Sequence, residues 1–474
     1  MKKFREGVSG SMNWKRITAL AAAVLLCVQL LGGCSRPELE PEPEPLASLH
    51  NDGREVKLVL GVLRPDDHRT AVLTEIAAKY EADFPNTDIE IRAFSEGEAL
   101  ENALRTGEAD IGEVEGDNLA ALVREGVLAD IYPYMTVWDE SATLTQAART
   151  AVGAMGLLHT YLIPNDLSQE ILYYRADWFE EYNEGREVID FVRCRTWNEI
   201  SGGLNANGNP VTGAKERLGD KGLLAFAGKD RLSFYFDAIV WSAIQHKRLA
   251  DPGAGYFSLA DEGKSIFSTD RVSAGTDQFL QVMTTALPGS LDWTEEQAIQ
   301  AFQEGKAGIL LADRSAQKVL RETMPEGSWA MEAFPRGLSG TAGLSVKSFV
   351  GWGVSAKTKE EEIAVHFLTF LSNADNNTHY AKECGTLPIH AEAAALEESL
   401  TEGELAVEVD MASRSDWYRY ALPPTMYQAY EGFREQEEEQ LRKFVDGELS
   451  KDDLLTWLDD YWNTAYEKEG KLWQ

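Results

Sequence analysis

The chain has 474 residues, 44% of them hydrophobic, with 78 acidic against 45 basic side chains and a net charge of −33. That apolar share fills sizeable cores, and the length calls for two domains, because single cores stop growing beyond ~250–300 residues. The acidic balance excludes nucleic acid and an anionic membrane face as partners, since both repel a polyanion.

The first segment is an export signal. Lys2, Lys3, Arg5, Lys15 and Arg16 precede the apolar run Ile17–Leu31, whose 15 residues are too few for a bilayer core that needs ~20. The run ends in Leu31-Gly32-Gly33-Cys34, small residues followed at once by a cysteine, which resembles the bacterial lipobox. The resemblance implies that residues 1–33 are removed and that the Cys34 thiol carries lipid. The mature protein is then held on the extracytoplasmic face of the cell membrane. Met12 opens a signal of more usual size and is an alternative start. Cleavage takes five bases and one acid away and leaves a charge of about −37. Residues 34–54 form a tether, in which Pro37–Pro45 alternates proline with glutamate; fixed φ angles and repelling carboxylates keep such a segment extended. Cys194 and Cys384 remain in an oxidising location, with their pairing left open.

Beyond the tether, strands and helices alternate. Glu55–Val62 reads as a strand ended by Arg64-Pro65-Asp66-Asp67. Ala71–Tyr80 has helical spacing, Thr87–Phe94 alternates as a strand, and Ala99–Leu104 is a helix stopped by Gly107. Ala109–Val114 is the next strand and Leu119–Val123 a helix stopped by Gly126. Such alternation implies βαβ units on a mainly parallel sheet. In those sheets ligands sit at the carboxyl ends of the strands. Further along, Arg231–Gln245 reads as an aromatic helix, Ala307–Ala312 as a buried strand, and Glu361–Leu371 as an amphipathic helix. Gln436–Phe444 and Lys451–Tyr466 close the chain as helices, and Ser201–Gly213 is the clearest loop.

Several motifs occur in one order: V-K-L-V-L-G, G-E-A-D-I-G, E-G-V-L-A-D-I-Y-P-Y-M, I-L-Y-Y-R-A-D-W-F, A-F-Q-E-G-K-A-G-I-L-L-A-D, V-G-W-G-V-S-A-K-T-K and G-T-L-P-I-H. From about Val56 to the C-terminus this set resembles the extracellular solute-binding proteins of ABC importers, in particular the sugar-binding group. The resemblance implies a two-lobed α/β fold of the Venus-flytrap type, each lobe a doubly wound, mainly parallel sheet. Lobe one is expected from 55–165 plus 353–385 and lobe two from 166–352 plus 386–474. The chain would cross near Pro164-Asn165, Gly351–Gly353 and Cys384–Pro388. It further implies a monomer that holds a small solute, a sugar or oligosaccharide, in the interlobe cleft and meets ABC permease subunits in the membrane. No cofactor or metal is expected.

Catalytic motifs are missing from the sequence: there is no H-E-x-x-H, G-x-S-x-G, P-loop pattern or Cys/His set with metal spacing. One enzyme resembles these binding proteins in architecture, thiaminase I. Its nucleophilic cysteine falls where Ser168 stands here, and a hydroxyl is a far poorer nucleophile than a thiolate; an acid recurs at the position of its base, as Asp237. A transporter-independent sensor or adhesin on the same fold is the third reading.

Sugar faces stack on aromatic rings and sugar hydroxyls pair with Asp, Glu, Asn and Arg. Trp352, between two glycines at an expected crossing, is either a ligand face or a packed hinge residue. Asp313 and Arg314 follow a buried strand and either meet the solute or pair with each other. Glu115 follows the third strand, as a ligand contact or a solvated acid. Tyr235, Asp237 and Trp241 share one helix, where i to i+2 points to different faces, so one of the two rings is core. Tyr427 and Tyr430 share a face, and Asp66 and Asp67 after the first strand are polar candidates.

Overall fold

The computed structural model describes residues 54–469, apart from 156–157, 185–194, 205–208, 230, 244–264, 338–342, 345, 403–404, 414–417 and 420–427. The side chains of 204, 241, 243, 343, 344, 346, 347, 394, 413, 418, 419 and 431 are also outside it. The export signal with Cys34, the tether, Cys194 and Tyr427 fall outside the described residues.

The chain opens with β1 (Val56–Leu63), α1 (Asp67–Asp83), β2 (Thr87–Phe94), α2 (Gly97–Thr106), β3 (Ile111–Glu115) and α3 (Gly116–Arg124). β1 buries almost every residue except Lys57, as a strand covered on both faces must. Asp66 starts α1 by accepting the Arg69 N–H at 2.7 Å, and Gly107 ends α2 in the left-handed region at φ 77°, where a side chain would be strained. There follow β4 (Leu162–Gln169), β5 (Ile171–Tyr174), β6 (Leu224–Phe226), α4 (Leu232–Ala243), α5 (Glu295–Gln303), β7 (Ile309–Ala312), α6 (Ser315–Thr323) and β8 (Ala330–Ala333). Last come β9 (Val346–Val354), α7 (Glu361–Leu371), α8 (Ala374–Cys384), α9 (Ala406–Ser413), α10 (Phe433–Val445) and α11 (Lys451–Glu469).

Two sheets result. The first has strand order β2-β1-β3-β9-β4, with β9 antiparallel to both its neighbours. The second has order β8-β5-β7-β6, with β5 antiparallel to both of its own. Each sheet is thus mainly parallel with one reversed strand. Strands β5, β6 and β7 of the second sheet are apolar without alternation because both faces are covered. Ile171, Tyr173, Leu310 and Ala312 face one hydrophobic cluster with Phe302 and Leu320, while Leu172, Ile309 and Leu311 face the main core. Ser201–Gly213, expected as a loop, contains a short antiparallel pair, Gly203–Leu204 with Pro210–Val211.

The chain leaves the first sheet at the end of β4 and enters the second at Ile171, so the passage is Glu170, a few residues beyond Pro164-Asn165. It returns between β8 and β9, so Gly351–Gly353 lie inside a first-sheet strand. Leu387 to Ala391 stay with the first half, through Leu387 N–H to Asp166 and Ala391 N–H to Thr143 O. The last passage therefore comes after Ala391 rather than at Cys384–Pro388.

Candidate functional site

At the carboxyl end of β1 the backbone turns sharply. Arg64 has φ 43°, the one positive value at a non-glycine among the described residues, and donates its N–H to Phe94 O at 2.7 Å. Its side chain reaches 3.8 Å from Glu115 at the end of β3, and both are largely exposed. Glu113, two residues back on the same strand face, is instead buried. Its carboxylate accepts from Leu63 N–H at 2.8 Å, from Asn165 Nδ2 at 3.1 Å and from Arg69. Arg69 also donates to Tyr380 Oη at 2.7 Å. The β9–β4 register slips between Val350 and Gly351, where Asp166 faces Val350 and Pro164 faces Gly351. Asn165 is the extra residue of this bulge, and bulges commonly re-aim a side chain; here it turns to Glu113. The same register sets Glu115, Val350 and Asp166 in one row across three strands.

Asp166 is where the halves meet. Arg314, at the carboxyl end of β7 in the second sheet, donates Nη2 to both Asp166 oxygens at 2.6 and 2.5 Å. Its Nη1 lies 3.5 Å from Glu408 on α9. Beside this contact is a cavity of about 200 Å³ lined by Arg314, by Lys382 and Gly385 of the first half, and by Ser399, Leu400, Glu402 and Leu405. That is below the ~300–1,000 Å³ of ordinary small-molecule sites. Next to it, at the passage between sheets, Arg231 pairs with buried Glu170 and, at 3.0 Å, with Glu295. Burial pushes the Glu408 carboxyl up to about 8.

The expected residues divide accordingly. Arg314 bridges the halves through Asp166 and Glu408, while Asp313 accepts the Ser315 N–H at 2.8 Å at the start of α6 and also acts electrostatically on Arg314. Glu115 stands on the exposed rim. Asp66 caps α1, and Asp67 opens it. Tyr235 is 1% exposed, packs edge-on to Phe226 at 4.8 Å, and faces Glu170, Arg231 and Glu295. Asp237, two residues on, points elsewhere, accepting from Arg434 at 2.6 Å. Arg434 also donates to Tyr430 Oη at 2.6 Å and to Glu437 at 2.9 Å. Asp237 and Tyr430 thus belong to one buried cluster that fastens α10 to α4. The backbone of Trp241 continues α4, and its side chain lies outside the described residues.

Of the two readings of Trp352, the burial agrees with the packed one: it is 2% exposed and part of the main core. The flanking glycines have another cause. A Cβ at Gly351 would stand 2.7 Å from Ile163 O, and one at Gly353 3.2 Å from Tyr161 O. They let β4 lie close to β9. Glu113, Glu170, Arg231, Glu295 and Glu408 were missed by the sequence reading. The available signal was an acid next to or within an apolar strand, as in I-G-E-V-E and Q-E-I-L-Y-Y.

Residues 75–406 match the family model described as bacterial extracellular solute-binding protein. The chain belongs to that family. Among solved structures, the solute-binding protein is similar to the sugar-binding protein MalE of Xanthomonas citri, with TM-score 0.65 and 15% identity over 88% of this chain and 98% of that one. It is similar also to the cyclic alpha-maltosyl-1,6-maltose binding protein of Arthrobacter globiformis, with TM-score 0.64 and 16% identity over 87% and 99% of the two chains. A Brucella abortus protein described as a binding protein is 24% identical over 251 residues, 52% of this chain and 55% of that protein. The chain thus spans about half the length of the curated relatives it matches. The two-lobed fold is shared with the structural neighbours. No helix among the described residues is long and apolar enough to cross a membrane.

Proposed function

We propose that this solute-binding protein captures a carbohydrate between its two halves and delivers it to the permease subunits of an ABC importer. It acts as a monomer held on the extracytoplasmic face of the cell membrane by lipid on Cys34. The observation that carries the reading is the Arg314–Asp166 contact, which joins the carboxyl ends of the two sheets beside a cavity lined from both halves. The polar rim above it, Arg64 and Glu115, suits hydroxyl recognition. The sugars named for the neighbours, maltotetraose and cycloalternan among them, support a carbohydrate solute. The enzyme reading has less support, because Ser168 lies within β4 opposite Ser348 and offers a hydroxyl where a thiolate is required.

The test is a panel of mono- and oligosaccharides screened by melting shift, since a tight ligand stabilises by RT ln(1 + [L]/Kd). A binder should also shrink the radius of gyration in solution scattering as the halves close about the passages at Glu170, between β8 and β9, and after Ala391. A saturating, bound sugar that leaves the scattering unchanged would overturn the closure. For the anchor, Cys34→Ala should release the protein from the membrane fraction; retention after a high-salt wash would overturn it.

A further inference from the structure

We propose that a pocket on the second half, apart from the interlobe cleft, is a second saccharide site that takes a neutral sugar ring against Trp457 and Tyr461.

Helical period builds the pocket. On α11, Trp457, Asp460, Tyr461, Thr464 and Lys468 recur at spacings of three and four, so they share one face. Leu454, Leu455, Leu458 and Trp462 enter the core from another. The short turn Gln428–Gly432 stands against the first face and closes a pocket of about 550 Å³. That is within the ~300–1,000 Å³ of small-molecule sites, which the cavity beside Arg314 does not reach. The pocket is not part of the cleft. α10 meets the start of α4, at the strand ends, through Glu438, and meets Asp237 further along through Arg434. The turn before α10 therefore continues away from the strand ends.

The rings are held before any ligand arrives. Trp457 stacks on Phe433 at 5.9 Å with the planes 6° apart, and Tyr461 packs beside it at 5.7 Å. The Tyr461 hydroxyl donates to Ala429 O, which ties the helix to the turn. Both rings nonetheless stay only half-buried. Rings already fixed lose little freedom on binding, and their apolar faces suit the C–H side of a sugar.

The polar groups decide the class of ligand. The side chains of Asp460, Thr464, Lys468 and Gln428 make no hydrogen bond or ion pair among the described residues. At the cleft, by contrast, Arg231, Arg314 and Asp166 are all committed to one another or to neighbours. Glu469 accepts from the N–H groups of Gln428 and Ala429, at 2.6 and 3.1 Å. One carboxylate and one ammonium remain, so the pocket offers an acceptor and a donor with no net charge. A hydroxyl can answer both, because it donates and accepts. A uronate would face Asp460. A quaternary ammonium, which the two rings alone would attract, would face Lys468. A neutral sugar meets neither repulsion.

The test runs the detergent-solubilised full-length protein in native gels cast with soluble starch, mixed-linkage β-glucan, galactomannan or polygalacturonate. At least one neutral polysaccharide should retard it, and polygalacturonate should not. Trp457→Ala should abolish the retardation. Because that indole also packs on Phe433, Asp460→Asn with Thr464→Val is the second variant. Both positions are exposed, so the ligand-free melt should hold while retardation weakens at least fivefold. Small sugars that bind the cleft in the melting screen should bind this variant unchanged. Retardation kept by both variants overturns the inference, since the contact then lies elsewhere. Equal retardation by polygalacturonate overturns it too, because charge rather than a ring face would carry the contact. No retardation by any neutral polysaccharide overturns the site, while the melting screen still decides the cleft.

Discussion

The two sheets end in opposite styles. The first presents Arg64 and Glu115, 61% and 48% exposed and 3.8 Å apart, a pair that water screens to at most ~1 kcal/mol. The second presents Arg231 and Arg314, each held by partly or fully buried carboxylates. The difference teaches a division of labour. An exposed pair is cheap to rearrange, so the first rim adapts to a solute. The second side is fixed beforehand, and groups already oriented lose less freedom on binding.

The strongest challenge to that division concerns the first sheet's own interior. Trp352→Ala removes a large buried side chain from the strand between Glu113 and Ile163, which typically costs ~3–5 kcal/mol. The ligand-free protein should melt much earlier, with any affinity loss following from that. A well-folded variant that binds tenfold more weakly would restore Trp352 to the ligand face.

Arg314→Met comes next. It leaves Asp166 and Glu408 facing each other without their cation, and breaking a buried pair costs ~3 kcal/mol or more. Denaturant midpoints should fall, and the ligand-free radius of gyration should rise because the halves lose their bridge. A drop in stability at constant radius would make Arg314 a local brace and not an interlobe one.

Glu408 gives a smaller effect with a defined sign. Burial raises its carboxyl from 4.5 to about 8, so the folded state holds a proton that the unfolded chain has released. Stability from this group is therefore complete below about 4.5 and is lost as pH rises toward 8. Asp237 and Glu437 act in the same direction, because burial raises both carboxyls against the pull of the one guanidinium, Arg434, that they share. Glu408→Gln, which mimics the protonated form, should flatten the fall in melting temperature between pH 5 and 8.5. An unchanged slope would place the titration in the Asp237–Glu437 pair alone.

The sequence announced the scaffold well because hydrophobic period and glycine stops are local. Thr87–Phe94 and Glu361–Leu371 have the bounds read from their patterns. The site was less legible because pairing is not local. Asp166 and Arg314 are 148 positions apart, and Glu113 and Arg69 meet only through the register of β1 with β3. Trp352 stayed between two readings for a related reason. Flanking glycines announce that something comes close, and here it is the backbone of β4 rather than a sugar.

The smallest expected change in stability tests the other side of the comparison. Glu115→Gln removes one charge of a screened pair, so folding should shift by less than ~0.5 kcal/mol. The carboxylate stands in one row with Val350 and Asp166, between the rim and the interlobe contact. If it accepts hydrogen bonds from solute hydroxyls, the weaker amide acceptor should lower affinity about tenfold, since a hydrogen bond to a charged group is worth ~1.5–3 kcal/mol. Gln keeps the shape, so a loss of binding without a loss of stability is specific to recognition. Titration calorimetry beside a ligand-free melt separates the two. Unchanged affinity would reduce Glu115 to a solvated acid and shift recognition wholly to the second sheet.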